Sequence, residues 1–382
     1  MTKFLSVVGA RPQFIKAAMI HTAIDRYNQK NRQADKIEHR LVHTGQHYEH
    51  NLSEIFFAEL PLPKPNHYLD VGSGSHGAQT ALILEKTEKA LIHEKPDAVI
   101  VYGDTNSTLG AAVAAAKLHI PVAHVEAGLR SFNRSMPEEI NRVVADHLSN
   151  VLFCPTQTAV KNLKLEGITR GVLLVGDVML DSIKAFKPLT QKHTPLLEKL
   201  GVKSQEYILA TIHRAENTDT YEKLAVLIEA FAKINRPIVL PMHPRLRDLL
   251  NSRVEFAPLK GTLARAQHVR VIEPAPYIDM LMLEANARLI MTDSGGVQKE
   301  AYFIGVPCLT LRDETEWVET LQGGWNTLVE ISLSKILRQA KTSWSTKRPR
   351  TRPNLKNFGG GNAADRMVAA VLKFLRQKSI SV

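Results

Sequence analysis

Two cysteines in 382 residues leave no disulfide framework and no thiolate metal site to build on. Cys154 in VLFCP and Cys308 in GVPCLTL each lie in an apolar, strand-like run without a metal-ligand partner beside them, so both read as buried thiols of a reducing compartment. Long apolar runs are missing too. In the opening MTKFLSVVGARPQF the apolar stretch is broken at Gly9 and Pro12, too short for a signal-peptide core or a membrane span, which makes the cytoplasm the expected address and leaves no membrane partner. No repeat or low-complexity segment interrupts the chain. Acids are absent from KTSWSTKRPRTRPNLK, Lys341 to Lys356, and this stretch holds six of the basic residues behind the formal charge of +11. The excess is therefore local, and it reads as a solvated connector with two prolines rather than as a nucleic-acid surface. Elsewhere the charge is mild, which suits a pocket for an anionic small molecule.

With 44% apolar residues, a chain of this length can bury a large core, and two domains with a cleft between them are expected. Short β-branched runs alternate with helix-length amphipathic ones, the pattern of βαβ units and parallel sheets, so the fold class is α/β. Strands are expected at Phe4–Val8, Arg40–His43, Ala98–Tyr102, Val122–Val125, Val151–Cys154 and Leu173–Val175. Helices near 12–27, 78–93, 106–118, 137–148 and 157–165 separate most of them. After a Pro/Lys-containing bridge at about 187–203 the pattern restarts, with strands at Tyr207–Ile212, Ile238–Pro241, Val269–Ile272, Leu289–Met291 and Cys308–Leu311. The expected division is a first Rossmann-like domain over 1–186 and a second over 187–362. A last helix, about 363–377, follows Gly359–Gly361 and is expected to pack back on the first domain.

In open parallel sheets ligands lie beyond the carboxyl ends of the strands, and the unusual residues here fall in those loops. GARPQFIK follows the first strand: Gly9 permits a tight turn, Pro12 suits a first helical position, and Arg11 and Lys16 flank the helix start. Free N–H groups with two cations would make an anion site, although the same residues also serve as an ordinary strand-to-helix turn. YGDTNSTLGAA brings Asp104 with an N-cap among Asp104, Thr105, Asn106 and Ser107. PVAHVEAGLRS ends its strand at Glu126, immediately before a glycine, so two acids can point into one cleft. In RSMPEEINRVVADHL a buried stripe of Ile140, Val143, Val144 and Leu148 is expected. Glu138 and Arg142 stand four apart, either as a solvated ion pair or as a site carboxylate kept ionised by the helix dipole. His213 and Arg214 in TIHRAEN, and His243 and Arg245 in PMHPR, end consecutive strands and look like donors to phosphate or sugar oxygens. In LIMTDSGGVQKEA, Ser294, Gly295 and Gly296 open a helix whose N–H groups can approach a diphosphate closely, with Glu300 placed to accept ribose hydroxyls.

Together with TGQH, GDVMLDS, GVPCLTLRDETE and the glycine-rich turn before the last helix, these motifs cover almost the whole chain. In that order they closely resemble the non-hydrolysing UDP-N-acetylglucosamine 2-epimerase family, relatives of the two-domain glycosyltransferases. The resemblance implies two Rossmann-like domains in a glycosyltransferase-B-like arrangement, a homodimer, and a UDP-2-acetamido sugar held in the interdomain cleft. It also implies elimination of UDP to a 2-acetamidoglucal and re-addition with carbon 2 inverted, with no metal or other cofactor. By position, Asp104, Glu126 and Glu138 match the family's catalytic acids and His213 its histidine near the leaving phosphate. Arg11, Lys16, Arg142, Ser294, Gly295, Gly296 and Glu300 match its substrate-binding groups. Two departures stand out. Trp317 in RDETEWVE replaces an arginine that many members carry, which points to a modified sugar such as a UDP-2,3-diacetamido-2,3-dideoxyglucuronic acid. LDVGSGSHGAQT lacks the arginine that helps activated members bind a second substrate molecule, although Gln46 of TGQH is retained.

Carbon 2 has no adjacent carbonyl, so its proton is not acidic until UDP begins to leave. Donors at Ser294–Gly296 and His213 would take the departing charge, and only then can a positioned carboxylate remove the proton. A glycosyltransferase would want the same turn and Glu300 but not three acids. A hydrolysing relative would release UDP and free sugar. A sugar-nucleotide sensor would not need the acids at all.

Overall fold

A computed structural model of the chain describes residues 1–46, 59–346 and 352–380. His47 of TGQH and residues 347–351 of the basic stretch lie outside the described residues. The chain divides into two compact units, Met1–Ser182 with Leu355–Val382, and Ile183–Asn354.

The first unit is built on a parallel sheet of seven strands. These are β1 Thr2–Val8, β2 Ile37–His43, β3 His67–Tyr68, β4 Ala98–Tyr102, β5 Val122–Val125, β6 Val151–Cys154 and β7 Val172–Leu174, in the order β3-β2-β1-β4-β5-β6-β7. The central strands read as continuous apolar runs because helices cover both faces; every residue of β4, β5 and β6 is buried. The helices that bear on the site are α1 Arg11–Lys30, α2 His76–Glu94, α3 Asn106–Lys117, α4 Pro137–Leu148 and α5 Gln157–Leu165. The second unit repeats the plan with six strands, β8 Ile208–Thr211, β9 Ile238–Pro241, β10 Val269–Ile272, β11 Leu289–Thr292, β12 Cys308–Thr310 and β13 Asn326–Leu328, in the order β10-β9-β8-β11-β12-β13. Here α6 Tyr221–Lys233, α7 Pro244–Ser252 and α8 Gly295–Ile304 matter most.

Both sheets reverse their winding beside their first strand, between β1 and β4 and between β8 and β11. In open parallel sheets a ligand crevice opens at such a switch point, and the loops that flank it carry Gly9 and Asp104 in one unit and His213 and Ser294 in the other.

Two strands were not expected from sequence. Both β3 and β13 are edge strands, and their two and three residues carry too little periodicity to stand out. Strand ends differ elsewhere: β1 starts two residues early and β2 three, β7 starts and stops one residue early, β8 is one shorter at each end, β11 runs on to Thr292, and β12 stops at Thr310. The bridge after residue 187 is not loose connector. Pro188 and Pro195 open a 3₁₀ turn, Lys187–His193, and a short helix, Pro195–Lys199, and Leu197 and Val202 are buried with Tyr207 in the core of the second unit.

The last helix, α9 Ala363–Ile380, belongs to the first unit. Its Ala364 N–H donates to Asp181 Oδ2 at 2.9 Å, and Asp365 pairs with Arg26 of α1 at 2.9 Å. The chain enters it through a close crossing in which a Cβ on Gly359 would stand 2.9 Å from the Gly176 Cα, so both positions need glycine. No helix among the described residues is long and apolar enough to cross a membrane.

Candidate active site

At the end of β1 the chain turns into α1 with its first donors already taken. The Gln13 side chain accepts from the N–H groups of Gly9 at 2.7 Å and Ala10 at 3.1 Å, and its own amide donates to the Tyr102 carbonyl at 2.7 Å. The expectation of free backbone donors therefore does not hold at those two positions. Gln13 ties β1 to β4 instead. Gly9 is needed because the chain runs against the start of α3: a methyl group there would overlap the Ser107 and Thr44 hydroxyls, which are themselves bonded at 2.8 Å. Gly9→Ala is expected to cost about 1–3 kcal/mol, the usual range for overpacking, read as a lower urea midpoint. An unchanged midpoint would mean that these hydroxyls can move aside.

The loop after β4 holds Gly103, in the left-handed region at φ +63°, and half-buried Asp104. Thr105 is the N-cap of α3, accepting from Thr108 N–H. Arg142 on α4 grips the Asp104 carboxylate, and Asn141 Nδ2 donates to the Asp104 carbonyl at 2.9 Å. The loop after β5 holds Glu126, a non-glycine residue at φ +73°, a conformation that other interactions must sustain. Its carboxylate is buried and pairs with the buried ammonium of Lys16. A Cβ on Gly103 would lie 3.5 Å from both Glu126 Oε2 and Lys16 Nζ. The Lys16–Glu126 pair thus packs against the residue that precedes Asp104.

Along α4 the sequence reading needs correcting. Ile140 is 50% exposed and Val143, Val144 and Leu148 only half-buried, whereas Glu139, Asn141, Arg142, Ala145 and Asp146 face inward. The inner face lies over polar strand-end loops, so hydrogen bonding rather than apolar period sets its rotation. Glu138 is exposed, and among the described residues it has no ion pair with Arg142. Arg142 pairs instead with buried Glu139, three residues away, at 2.6 Å. Burial opposes ionisation of Glu139, but the N–H groups of Ser131 and Phe132 and the Arg142 guanidinium outweigh it and hold its carboxyl below the usual range.

In the second unit the organiser is Asp293, with no exposed surface at the end of β11. It accepts from the backbone N–H groups of His213 and Arg214 and from Asn217 Nδ2, each at 3.1 Å, and its Oδ1 lies 3.3 Å from His213 Nδ1. His213 is half-buried and its ring stacks on exposed His243, centroids 5.3 Å apart. His243 caps α7, its Nδ1 accepting from Arg245 N–H at 3.2 Å, which leaves Nε2 as the nitrogen that carries hydrogen. Arg245 does not turn to the same site, because Asp219 holds it at 2.6 Å. Ser294 caps α8 by accepting from Val297 N–H at 3.3 Å. Behind that cap, Gly295 and Gly296 present half-exposed backbone at a helix amino end, the geometry that suits an anion. A Cβ on Gly295 would stand 2.6 Å from Glu316 Oε1, so a side chain there would displace that carboxylate. Glu300 is buried in the second turn of the same helix, and Lys299 beside it places its ammonium 3.7 Å from the centre of the Trp317 ring.

Sequence reasoning missed Gln13, Glu139 and Asp293, which act on backbone donors or on another side chain. Only Asp293 left a signal, as a carboxylate at a strand end immediately before the Ser-Gly-Gly turn. Gln46 is turned inward, its Oε1 accepting from Ser107 N–H at 3.0 Å. Among the described residues, the ligand atoms of His67, His93 and Glu94 lie within 4.8 Å of one another. That cluster is poor for a cation, because Lys3 and Arg40 already stand 3.4 and 3.7 Å from the Glu94 carboxylate.

Two doubly wound units, one with paired strand-end carboxylates and one with a glycine turn at a helix amino end, define an α/β enzyme of two Rossmann-like domains. A profile of the family described as UDP-N-acetylglucosamine 2-epimerase matches residues 29–372, and the chain belongs to that family. It is 50% identical to a UDP-N-acetylglucosamine 2-epimerase homolog of Methanococcus maripaludis, over 96% of this chain and 98% of the relative. It is 45% identical to the UDP-2,3-diacetamido-2,3-dideoxy-D-glucuronate 2-epimerase of Pseudomonas aeruginosa, over 97% of this chain and 99% of that one. A crystal structure of the Methanocaldococcus jannaschii UDP-GlcNAc 2-epimerase with UDP-GlcNAc and UDP superposes with a TM-score of 0.88 at 42% identity, covering 98% of this chain and all of that one.

Proposed function

We propose that this chain is a non-hydrolysing 2-epimerase of a UDP-linked 2-acetamido sugar, of the type that interconverts UDP-GlcNAc and UDP-ManNAc. The observation that carries the reading is the pairing in the first unit: Asp104 held by Arg142 and Glu126 held by Lys16, with Gly103 between them. The N–H groups at Gly295 and Gly296, with His213, take the charge of the departing diphosphate as the bond from carbon 1 to oxygen breaks. The developing positive charge on the ring makes the carbon-2 hydrogen acidic, and one ionised carboxylate removes it to leave the glycal. A proton delivered to the opposite face, with return of UDP to carbon 1, completes inversion. Arg11 and Lys16 serve the anionic substrate, and Glu300 accepts from the ribose. Glu138 is the third acid that the family resemblance assigns to the proton chemistry, and the scheme calls for no metal or other cofactor. A homodimer in the cytoplasm fits the family resemblance, and burial that pushes Cys154 and Cys308 up to about 12 keeps both thiols inert; sedimentation velocity reads the oligomeric state.

A second reading concerns the sugar. Trp317 stands where many relatives have arginine, yet Lys299 lies against its ring, so a cation remains at the position behind an indole face. That arrangement favours a modified, acidic sugar such as the diacetamido-glucuronate named for the Pseudomonas relative. Proton NMR of the purified protein with a panel of UDP-2-acetamido sugars tests both. A 2-epimer is expected from at least one of them, and the acidic sugar is expected to have the higher kcat/KM. Efficient turnover of plain UDP-GlcNAc with no preference removes the second reading, and absence of any 2-epimer removes the first.

A further inference from the structure

Behind the two carboxylate loops lies a buried charged unit that touches neither carboxylate. His124, in the middle of β5, and Asp146, on the inner face of α4, have no exposed side-chain surface. His124 Nδ1 lies 2.7 Å from Asp146 Oδ1, and Nε2 lies 2.7 Å from the Gly103 carbonyl oxygen. Asp146 Oδ2 accepts from Gly128 N–H at 3.0 Å and from Arg130 Nη1 at 2.7 Å. Arg130 in turn donates to Glu166, the residue that follows α5, at 2.7 and 2.6 Å.

The ends of this unit fall at telling places. Gly103 immediately precedes Asp104, and Gly128 follows Glu126 by two residues. Both glycines are in the left-handed region, at φ +63° and +80°, as is Glu126 itself. Three such residues in two adjoining loops need fixed partners. His124 fastens one loop by its carbonyl, and Asp146 fastens the other by its amide. The same helix carries Arg142, one turn before Asp146, and Arg142 grips the Asp104 carboxylate.

We propose that His124 and Asp146 are positioning residues for the epimerisation, with His124 held as an imidazolium that couples the Asp104 loop to the Glu126 loop. Neither of its partners, a carboxylate and a backbone carbonyl, has a hydrogen to give, so both ring nitrogens must supply one. Burial opposes ionisation of Asp146, but its bonds to His124 and Arg130 outweigh that and hold its carboxyl below the usual range. The unit is therefore a neutral alternation of cation and anion, His124, Asp146, Arg130 and Glu166. Loss of either member of the buried His124–Asp146 pair unbalances the charge of the unit. Misplacing a catalytic group by about 1 Å can cost on the order of a hundredfold in rate, and these bonds set where the two carboxylates stand relative to each other.

This inference rests on the reading that Asp104 and Glu126 do the proton chemistry, and its test separates the two. Nitrogen-15 NMR of the histidine rings in the unmodified protein is expected to find both nitrogens of His124 protonated at neutral pH, whatever the enzyme catalyses; a single neutral tautomer overturns the proposal. Asp146→Asn keeps the shape and removes the charge, and His124→Asn keeps one donor of two. Each is expected to lower kcat about 10- to 100-fold with KM for the UDP-sugar within about twofold, and to release UDP and glycal in greater proportion to epimer. A role in stability alone would lower the melting temperature and leave turnover per folded molecule unchanged. Folded variants of that kind, with kcat within about twofold of the unmodified protein, overturn the proposal. Should neither variant fold, the ring protonation still decides it.

Discussion

Asp104→Asn and Glu126→Gln are each expected to lower turnover by about two to four orders of magnitude, the range for a positioned acid or base, without unfolding the protein. Both substitutions keep shape and remove charge. At position 104 the Arg142 guanidinium retains its bond to Glu139, so no buried cation is left unpaired. At position 126 the Lys16 ammonium, with a side chain only 6% exposed, faces a neutral amide. Glu126→Gln should therefore lose some stability as well as activity, whereas Asp104→Asn should lose activity almost alone. The neighbouring pair on α4 sharpens the series. Glu138 is exposed in the first turn, so Glu138→Gln should cost rate and leave the melting temperature alone. Glu139 is buried in four hydrogen bonds, so Glu139→Gln should cost both. Steady-state kinetics and calorimetry on the four variants separate these outcomes. Near-normal rates in folded Asp104→Asn, Glu126→Gln and Glu138→Gln together would remove the assignment of the acids.

That series also marks the boundary between what the sequence made legible and what it did not. Strand-end loops are readable because a run of buried β-branched residues must stop where a polar or glycine residue appears, and Gly103 and Glu126 both sit at such stops. The alternation of β and α periods is equally plain, since the central strands are covered on both faces. Rotation of α4 is not readable, because an amphipathic helix is assigned by its apolar residues and this one buries Glu139, Arg142 and Asp146 in place of Ile140. Charges that neutralise one another are invisible to a hydrophobic period. The same holds for His124, which looks like one more apolar-strand residue until its two acceptors are seen. Asp293 is an intermediate case: its place before a glycine turn marks it, but its three donors come from about eighty residues earlier in the chain. The edge strands β3 and β13 pair on one side only and are too short to carry a pattern.

In heavy water the epimerised product is expected to carry deuterium at carbon 2, and prolonged incubation should label the substrate as well. The expectation follows from elimination and re-addition rather than from family membership. Once UDP departs and carbon 2 gives up its proton to a carboxylate, the new proton reaches the opposite face from a group that exchanges with solvent during the cycle. Asp104 is about one-third exposed, so a proton carried there meets water readily. Enzymes that break only the anomeric bond, whether a transferase or a hydrolase, have no reason to touch carbon 2, and a sensor would label nothing. Label in the bridging oxygen should also scramble into the non-bridging positions of the β-phosphate when UDP turns before re-adding, and a diphosphate fixed by backbone donors would suppress that signal. Deuterium is thus the deciding observable, followed by proton NMR as loss of the carbon-2 signal in the product. A product inverted at carbon 2 that keeps its original hydrogen in full would rule out elimination, and with it the roles given to the paired carboxylates and the glycine turn.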